Sequence, residues 1–460
     1  MAAERDLAPG EWSVLALLAD APSHGWALAR EMSRNGEIGS VWSVGRPLVY
    51  RALELLEQRG LVEPVGRERG ARGPAIRQPG AMTTELAPRR PLPFGIFGDL
   101  EHPGQIFRDL GPNWFTSVMG TGIVANAAAT LPFRIPGLHE FALVVWVLAA
   151  AWLTVLSAAW AVHWAKHTKR ARAYAGSPAM AQFWGAPPMA LITVGTGTLL
   201  VGRDWIGLTA AVDADWALWG LGTALGLATA CWIPFLMMTR HEFEPEAVFG
   251  GWLVPVVPPM VAAASGALLV PYAAAGQVRL TLLLGCYAMF GISLFTSVIV
   301  ITLLWGRLVS QRSLPAVLVP TCWIALGPLG QSVTATGALG TVAPLALRPP
   351  YADGASVLAL LYGVPAWGFA MAWLVIAAAL TLHTARRGLP FALTWWSFTF
   401  PVGTCVTGTI ALADRTGDDV LRYASAGLFA LLLAAWLTVA VLTVHDGARG
   451  RLFLPLRALS

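Results

Sequence analysis

The side chains that could bind a solute within the longest apolar segments of this chain are hydroxyls and amides. Five of these segments contain no Asp, Glu, Lys, Arg or His: residues 112–132, 179–202, 248–272, 315–341 and 389–412. They carry Thr and Ser hydroxyls, Asn126 and Gln331 instead. Such groups favour a passive or weakly coupled conduit that selects ions by dehydration and pore width. This chemistry alone leaves the sign of the ion's charge open.

Catalytic and metal-binding spacings do not stand out in the sequence. The cysteines all fall within apolar segments, and no two have the spacing of metal ligands: Cys231, Cys286, Cys322 and Cys405. Clusters of His, Asp or Glu are also missing from the apolar segments. We therefore expect a protein that is not an enzyme and that needs neither a metal nor another cofactor.

The composition places the chain among membrane proteins. Its residues are 56% hydrophobic and 12% charged, whereas a soluble domain carries about a quarter charged residues. Apolar runs long enough to cover the roughly 30 Å of bilayer hydrocarbon follow one another from about residue 111. Because lipid offers no partner to an unpaired backbone, these runs must be helices.

The runs predict ten transmembrane helices, arranged as five hairpins around a central pore. The segments given above are the odd-numbered spans, and the even-numbered spans are 138–165, 214–239, 279–306, 353–383 and 420–444. The predicted domains are a small soluble unit at 1–79, a linker rich in Pro, Gly and Arg at 80–110, a membrane domain at 111–446 and a cytoplasmic tail at 447–460.

Basic residues between the spans predict the orientation. If the N-terminus is cytoplasmic, twelve Lys and Arg residues fall on the inner side and six on the outer side, the outer ones being Arg134, Arg203, Arg279, Arg348, Arg415 and Arg422. Positive charge collects on the cytoplasmic side of membrane proteins. We therefore expect a multi-pass protein of the cell membrane with both termini in the cytoplasm.

Proline separates the odd spans from the even ones. Prolines inside the odd spans include Pro187, Pro188, Pro258, Pro259, Pro328 and Pro401, whereas the even spans have only Pro234 and Pro365 well inside. A kinked helix is tolerated in a membrane where its freed carbonyl faces protein or water, so the odd helices are expected to surround a polar path. The residues expected to shape it are Gly120, Thr121, Gly122, Pro259, Gln331 and Thr404. Close packing of small residues would explain the glycines equally well.

Three motifs in order carry a resemblance to a known family. They are residues 112–123 (PNWFTSVMGTGI), 252–259 (WLVPVVPP) and 395–401 (WWSFTFP). Over residues 105–450 the chain resembles the tellurite-resistance/dicarboxylate transporter family, which includes plant slow anion channels, fungal malate permeases and fungal sulfite efflux pumps. The resemblance implies transport of small anions such as malate, sulfite, chloride or nitrate, and it does not fix which one.

The same resemblance implies ten helices in five hairpins, a pore lined by the odd helices and a homotrimer with one pore per subunit. It also implies a Phe on the ninth helix that plugs the pore. Phe400, just before Pro401, matches that gate, and Phe398 is the alternative.

The N-terminal segment resembles the winged-helix (α/β) domain of PadR-type transcriptional regulators. The residues that match are 15–18 (LALL), 23–29 (SHGWALA) and 48–62 (LVYRALELLEQRGLV). The resemblance implies a recognition helix from about Arg46 to Arg59, with Arg46 and Arg51 approaching DNA and with Arg67 and Arg69 in the wing.

Two features depart from the PadR pattern. The dimerisation helix of those regulators is missing, and residues 1–80 contain ten Arg and ten Asp or Glu, which gives no basic surface overall. We expect DNA binding to be weak. A membrane-tethered transcriptional regulator is the alternative to the transport function.

Overall fold

The structure is a computed structural model, and it describes residues 9–20, 23–32, 46–59, 61–66, 76–79, 105–108, 110–241, 247–311, 314–450 and 452. The chain divides into two compact units, Met1–Glu101 and His102–Phe453. The described residues of the second unit are nearly all helical. Arg67, Arg69 and most of the expected linker lie outside the described residues.

The first unit combines three helices with a small sheet. Its elements are α1 (Pro9–Asp20), β1 (Ser23–His24), α2 (Gly25–Glu31), α3 (Arg46–Gln58), β2 (Val62–Gly66) and β3 (Ile76–Pro79). The sheet is antiparallel with the strand order β1-β3-β2. His24 pairs with Ile76, and Glu63 pairs with Gln78.

Helix α3 buries one apolar face in the core of this unit. The buried side chains are Val49, Ala52, Leu53 and Leu56, which follow the spacing of one helix face. Leu48 is 59% exposed, so the buried face begins one residue later, at Val49. Arg46 and Arg51 are exposed.

The second unit contains the remaining helices. They are α4 (Gln105–Arg108), α5 (Phe115–Thr130), α6 (Leu138–Lys166), α7 (Thr168–Gly176), α8 (Pro178–Ala181), α9 (Ala186–Gly197), α10 (Arg203–Ile206), α11 (Leu208–Thr239), α12 (Pro258–Leu269), α13 (Gln277–Gln311), α14 (Leu326–Val342), α15 (Tyr351–Ala385), α16 (Phe400–Thr416) and α17 (Asp419–Arg449). Seven described helical segments are long and apolar enough to cross a membrane: Leu138–Lys166, Gln182–Ile206, Leu208–Thr239, Gln277–Gln311, Ala316–Leu345, Tyr351–Ala385 and Asp419–Arg449. The protein is therefore an α-helical membrane protein.

Helices α5, α9, α12, α14 and α16 form a closed ring, which we call the inner ring. Each of them packs against the next in this order, and α16 packs against α5. The outer helices α6, α11, α13, α15 and α17 each pack on the inner helix that precedes them in the chain. The two sets of helices differ in burial. In Gln182–Ile206 and Ala316–Leu345, which contain α9 and α14, 83% of the apolar stretch is buried, whereas the share in the outer helices is only 22–33%. The inner helices are those of the odd-numbered segments.

Prolines begin three of the inner helices. Pro187, Pro258 and Pro401 lie in the first turn of α9, α12 and α16, respectively, where no N–H donor is needed. A 3-10 segment precedes α14 at Ala316–Ala325 and α16 at Leu393–Phe398. The expected kinks therefore take the form of a change from 3-10 to α-helix at the start of the inner helix.

Gly330→Ala tests the close approach of α14 and α16. A Cβ atom at residue 330 would lie 2.5 Å from the Cys405 backbone N and 2.6 Å from the Thr404 carbonyl carbon, so one helix must shift. We expect the free energy of unfolding to fall by about 1–3 kcal/mol, as overpacking usually costs, in denaturant unfolding in detergent. Gly327→Ala is the matched control, because its Cβ atom would come no closer than 4.0 Å to Pro401. Equal losses in the two variants would contradict the proposed contact.

Candidate functional site

A cavity of about 890 Å³ lies within the inner ring, and we call it the central cavity. All five inner helices contribute to its wall, and α15 adds Ala352, Asp353 and Ser356. Most of its polar lining is neutral: Asn126, Thr130, Thr193, Thr196, Ser265, Gln331, Thr334, Thr341, Ser356 and Thr407. The cavity therefore presents hydroxyls and amides to whatever enters it.

Hydrogen bonds between these side chains join neighbouring inner helices. Thr196 Oγ1 of α9 donates to Ser265 Oγ of α12 at 2.8 Å. The hydroxyls of Thr334 on α14 and Thr407 on α16 lie 2.8 Å apart. Each pair places two hydroxyl oxygens at the wall of the cavity, where either could turn toward a solute.

Phe400 lines both the central cavity and a second, much smaller one. The smaller cavity has a volume of about 30 Å³, and Thr116, Val257 and Ser397 are part of its wall. Phe400 lines both cavities, and it is the one described residue that they share. Its side chain is 2% exposed. Phe400 therefore lies where the wall of a wide cavity meets that of a narrow one.

Two of the residues expected at the pore line the central cavity: Gln331 on α14 and Phe400 at the first position of α16. The alternative gate residue, Phe398, lines neither cavity. Its ring lies 5.1 Å from that of Trp323 and 5.6 Å from that of Trp395, measured between centroids.

The two glycines expected at the pore lie in contacts between helices. A Cβ atom on Gly120 would meet the Thr399 hydroxyl, and one on Gly122 would lie 2.9 Å from Thr193 Cγ2. Neither glycine lines a cavity. Their role in the structure is to let α5 approach its neighbours.

The remaining expected residues also lie between helices and line neither cavity. Thr121 Oγ1 accepts a hydrogen bond from Trp436 Nε1 of α17 at 3.1 Å. Thr404 Oγ1 donates to the Pro401 carbonyl at 2.7 Å, and Pro259 is buried in the first turn of α12. These hydroxyls are therefore occupied within the protein.

The sequence missed three charged residues that line the central cavity: Asp353, Asp414 and Arg415. The last two were assigned to a loop because the ninth span was ended at residue 412, whereas α16 continues to Thr416. The two carboxylates are exposed, and Arg415 is half-buried. If the ninth span had been extended by one helical turn, Asp414 and Arg415 would have been placed in the helix that lines the cavity.

Arg415 is held in a fixed position. Its terminal nitrogens donate to the Ser356 hydroxyl, to the Gly337 carbonyl at 3.1 Å and to the Thr341 hydroxyl at 3.2 Å. No carboxylate of the described residues lies within the 4.0 Å of an ion pair with it. Among the described lining residues Arg415 is the one Lys or Arg side chain, so its positive charge faces the cavity without a paired anion.

Comparison with known proteins agrees with this architecture. Residues 109–444 match the model of the voltage-dependent anion channel (SLAC1) family. Sulfite efflux pumps of Arthroderma otae and Trichophyton rubrum are 29% and 28% identical to the chain, over 74% of its length and 92% of theirs. An uncharacterized transporter of Methanocaldococcus jannaschii is 25% identical over 74% of this chain and 96% of its own.

The family match begins after the N-terminal unit, so it concerns the helical unit alone. Together with the relatives, it confirms the resemblance that the three motifs carry. The family model covers more than half of the chain, and the chain therefore belongs to the voltage-dependent anion channel (SLAC1) family.

Proposed function

We propose that the inner ring is the pathway of a transporter or channel for small anions, with Phe400 as its gate. The observation that carries the proposal is that one buried aromatic residue lines both a wide cavity and a narrow one. Because sulfite efflux pumps are among the relatives, we take sulfite as the first substrate to test. Malate and halide-like anions are the alternatives.

The lining of the central cavity suits this function. An anion that leaves water needs donors to replace its hydration shell, and hydroxyls and amide N–H groups supply them. Neutral donors bind an anion loosely enough for it to leave again, which conduction requires. Arg415 adds one positive charge to the wall, which also carries the exposed carboxylates of Asp353 and Asp414.

Ten membrane-spanning helices are part of the proposal. The helices α5, α12 and α16 are shorter than the seven long segments, with 16, 12 and 17 residues. They are covered by outer helices, so they need not present a full apolar length to lipid. Cytoplasmic termini, a location in the cell membrane and a homotrimer with one pathway per subunit remain predictions.

Phe400→Ala tests the gate. Removing the ring would join the two cavities, so sulfite flux through proteoliposomes should rise by about tenfold, which corresponds to roughly 1.4 kcal/mol off the barrier. Phe398→Ala is the matched control, since that ring packs on Trp323 and Trp395 outside both cavities. A Phe400 variant that conducts no more than the parent would refute the gate, and a larger rise in the Phe398 variant would move the gate to that residue.

Arg415→Gln tests whether the fixed charge draws anions into the cavity. Electrostatic attraction raises the local anion concentration and the rate of entry, so we expect about a tenfold lower sulfite flux at low ionic strength and a smaller difference at high salt. Arg415→Lys keeps the charge but not the planar fork, and it should retain most of the flux. If the Lys and Gln variants lose equal flux, Arg415 acts only through its hydrogen bonds.

The N-terminal unit supports a second proposal, a winged helix that binds DNA weakly. The order of three helices and a three-stranded antiparallel sheet suits such a domain. The exposed side chains of Arg46 and Arg51 on α3 are available for phosphate contacts. In this proposal the unit is a regulatory module of the transporter, and the tethered regulator is the rival view.

Arg46→Ala with Arg51→Ala tests DNA binding in the full-length protein in nanodiscs. Loss of two phosphate contacts should weaken binding to duplex DNA. It should also make the negative slope of log affinity against log salt concentration shallower by about two. Arg30→Ala, an exposed arginine of α2, is the control. Absence of binding by the parent at low salt would remove the DNA proposal and leave the transport proposal untouched.

A further inference from the structure

Asp215 is a fully buried carboxyl group that has no role in the pathway described above. It lies on α11, and 0% of its surface is exposed. Neither of its carboxyl oxygens has a hydrogen-bond partner within the part of the chain that the structure describes. Ionisable residues within membrane helices are costly and usually functional, so this carboxyl group calls for an explanation.

The carboxyl group lies against the inner helix α9 at Gly195. A Cβ atom at residue 195 would lie 2.5 Å from Asp215 Oδ1, so the carboxyl group fills the space that a side chain there would need. The next residue, Thr196, lines the central cavity and donates to Ser265. One helix, about 10 Å across, therefore separates Asp215 from the cavity.

The elements packed against α11 offer little to balance a negative charge on Asp215. Helices α9 and α12 and the segments 182–185 and 198–202 carry no ionisable side chain. Helix α10 carries Arg203 and Asp204, whose side chains are about half exposed. Arg203 Nε lies 3.8 Å from Asp204 Oδ1. On α11 itself, Asp213 is exposed. An ionised Asp215 would be a buried charge without a partner, so the neutral, protonated form is favoured.

We propose that Asp215 is a proton-binding site that couples proton uptake to anion occupancy of the central cavity. This inference rests on the proposed anion transport. With its proton bound, Asp215 is neutral and the cavity accepts an anion. Release of that proton to water places a second negative charge behind α9, which repels the anion. The coupling is reciprocal, so a bound anion strengthens proton binding by the same factor.

The test is the apparent KM for uptake of radiolabelled sulfite into proteoliposomes that contain the full-length protein. For the parent, KM should rise roughly tenfold from mildly acidic to mildly alkaline pH, as two unit charges about 10 Å apart inside a protein would give. Asp215→Asn keeps the shape and stays neutral, so the tenfold rise should be missing from it and only the pH dependence of sulfite itself should remain. Sulfite itself also binds a proton, but it does so equally for every variant.

Asp213→Asn is the matched control, because Asp213 is exposed two residues away on the same helix; it should keep the pH dependence of the parent. Asp215→Ser, a second neutral variant, should behave like Asp215→Asn. The proposal is overturned if Asp215→Asn keeps the parent's pH dependence, if the parent has none, or if the folded neutral variants do not transport. A parent that takes up neither sulfite nor the alternative anions malate and chloride would overturn the transport function itself, and the proton site with it.

Discussion

Polar backbone groups within a membrane must find their partners inside the protein, because lipid offers none. The inner ring meets this demand partly through donors on the outer helices. Trp219 Nε1 of α11 donates to the Ala262 carbonyl of α12 at 2.9 Å, and Trp436 Nε1 of α17 donates to the Thr121 hydroxyl of α5 at 3.1 Å. An aromatic side chain reaches across a helix contact and remains apolar elsewhere. The outer helices therefore shield the ring from lipid and also satisfy its polar groups.

The position of Phe400 depends on the turn that precedes it. Thr399 Oγ1 donates to the Trp396 carbonyl at 2.7 Å, and Trp396 Nε1 donates to Thr443 Oγ1 of α17 at 3.1 Å. The change from 3-10 to α-helix thus begins at a segment that an outer helix holds. The contact between α16 and α17 therefore helps to set the position of Phe400.

The charged side chains near the central cavity lie beside it and at its end. The inner helices carry neutral side chains along most of the cavity. Asp414 and Arg415 lie in the last turn of α16, Asp353 lies on α15, and Asp215 lies one helix away from the wall. Neutral walls avoid binding an anion too tightly. A charge behind or beside the wall still acts on the anion through its field, because a protein interior screens charge less than water does.

The sequence by itself determined the membrane class, the two kinds of span and the family, because apolar length and proline content are local properties and three motifs stand in order. It also placed Phe400 and Gln331 at the cavity. It left Arg415 in a loop, because the ninth span was ended before the last turn of the helix. Only the tertiary structure decided that Thr121 and Thr404 are occupied between helices and that Asp215 lies against Gly195. Such contacts join residues far apart in the chain, and neither composition nor periodicity records which helix faces which.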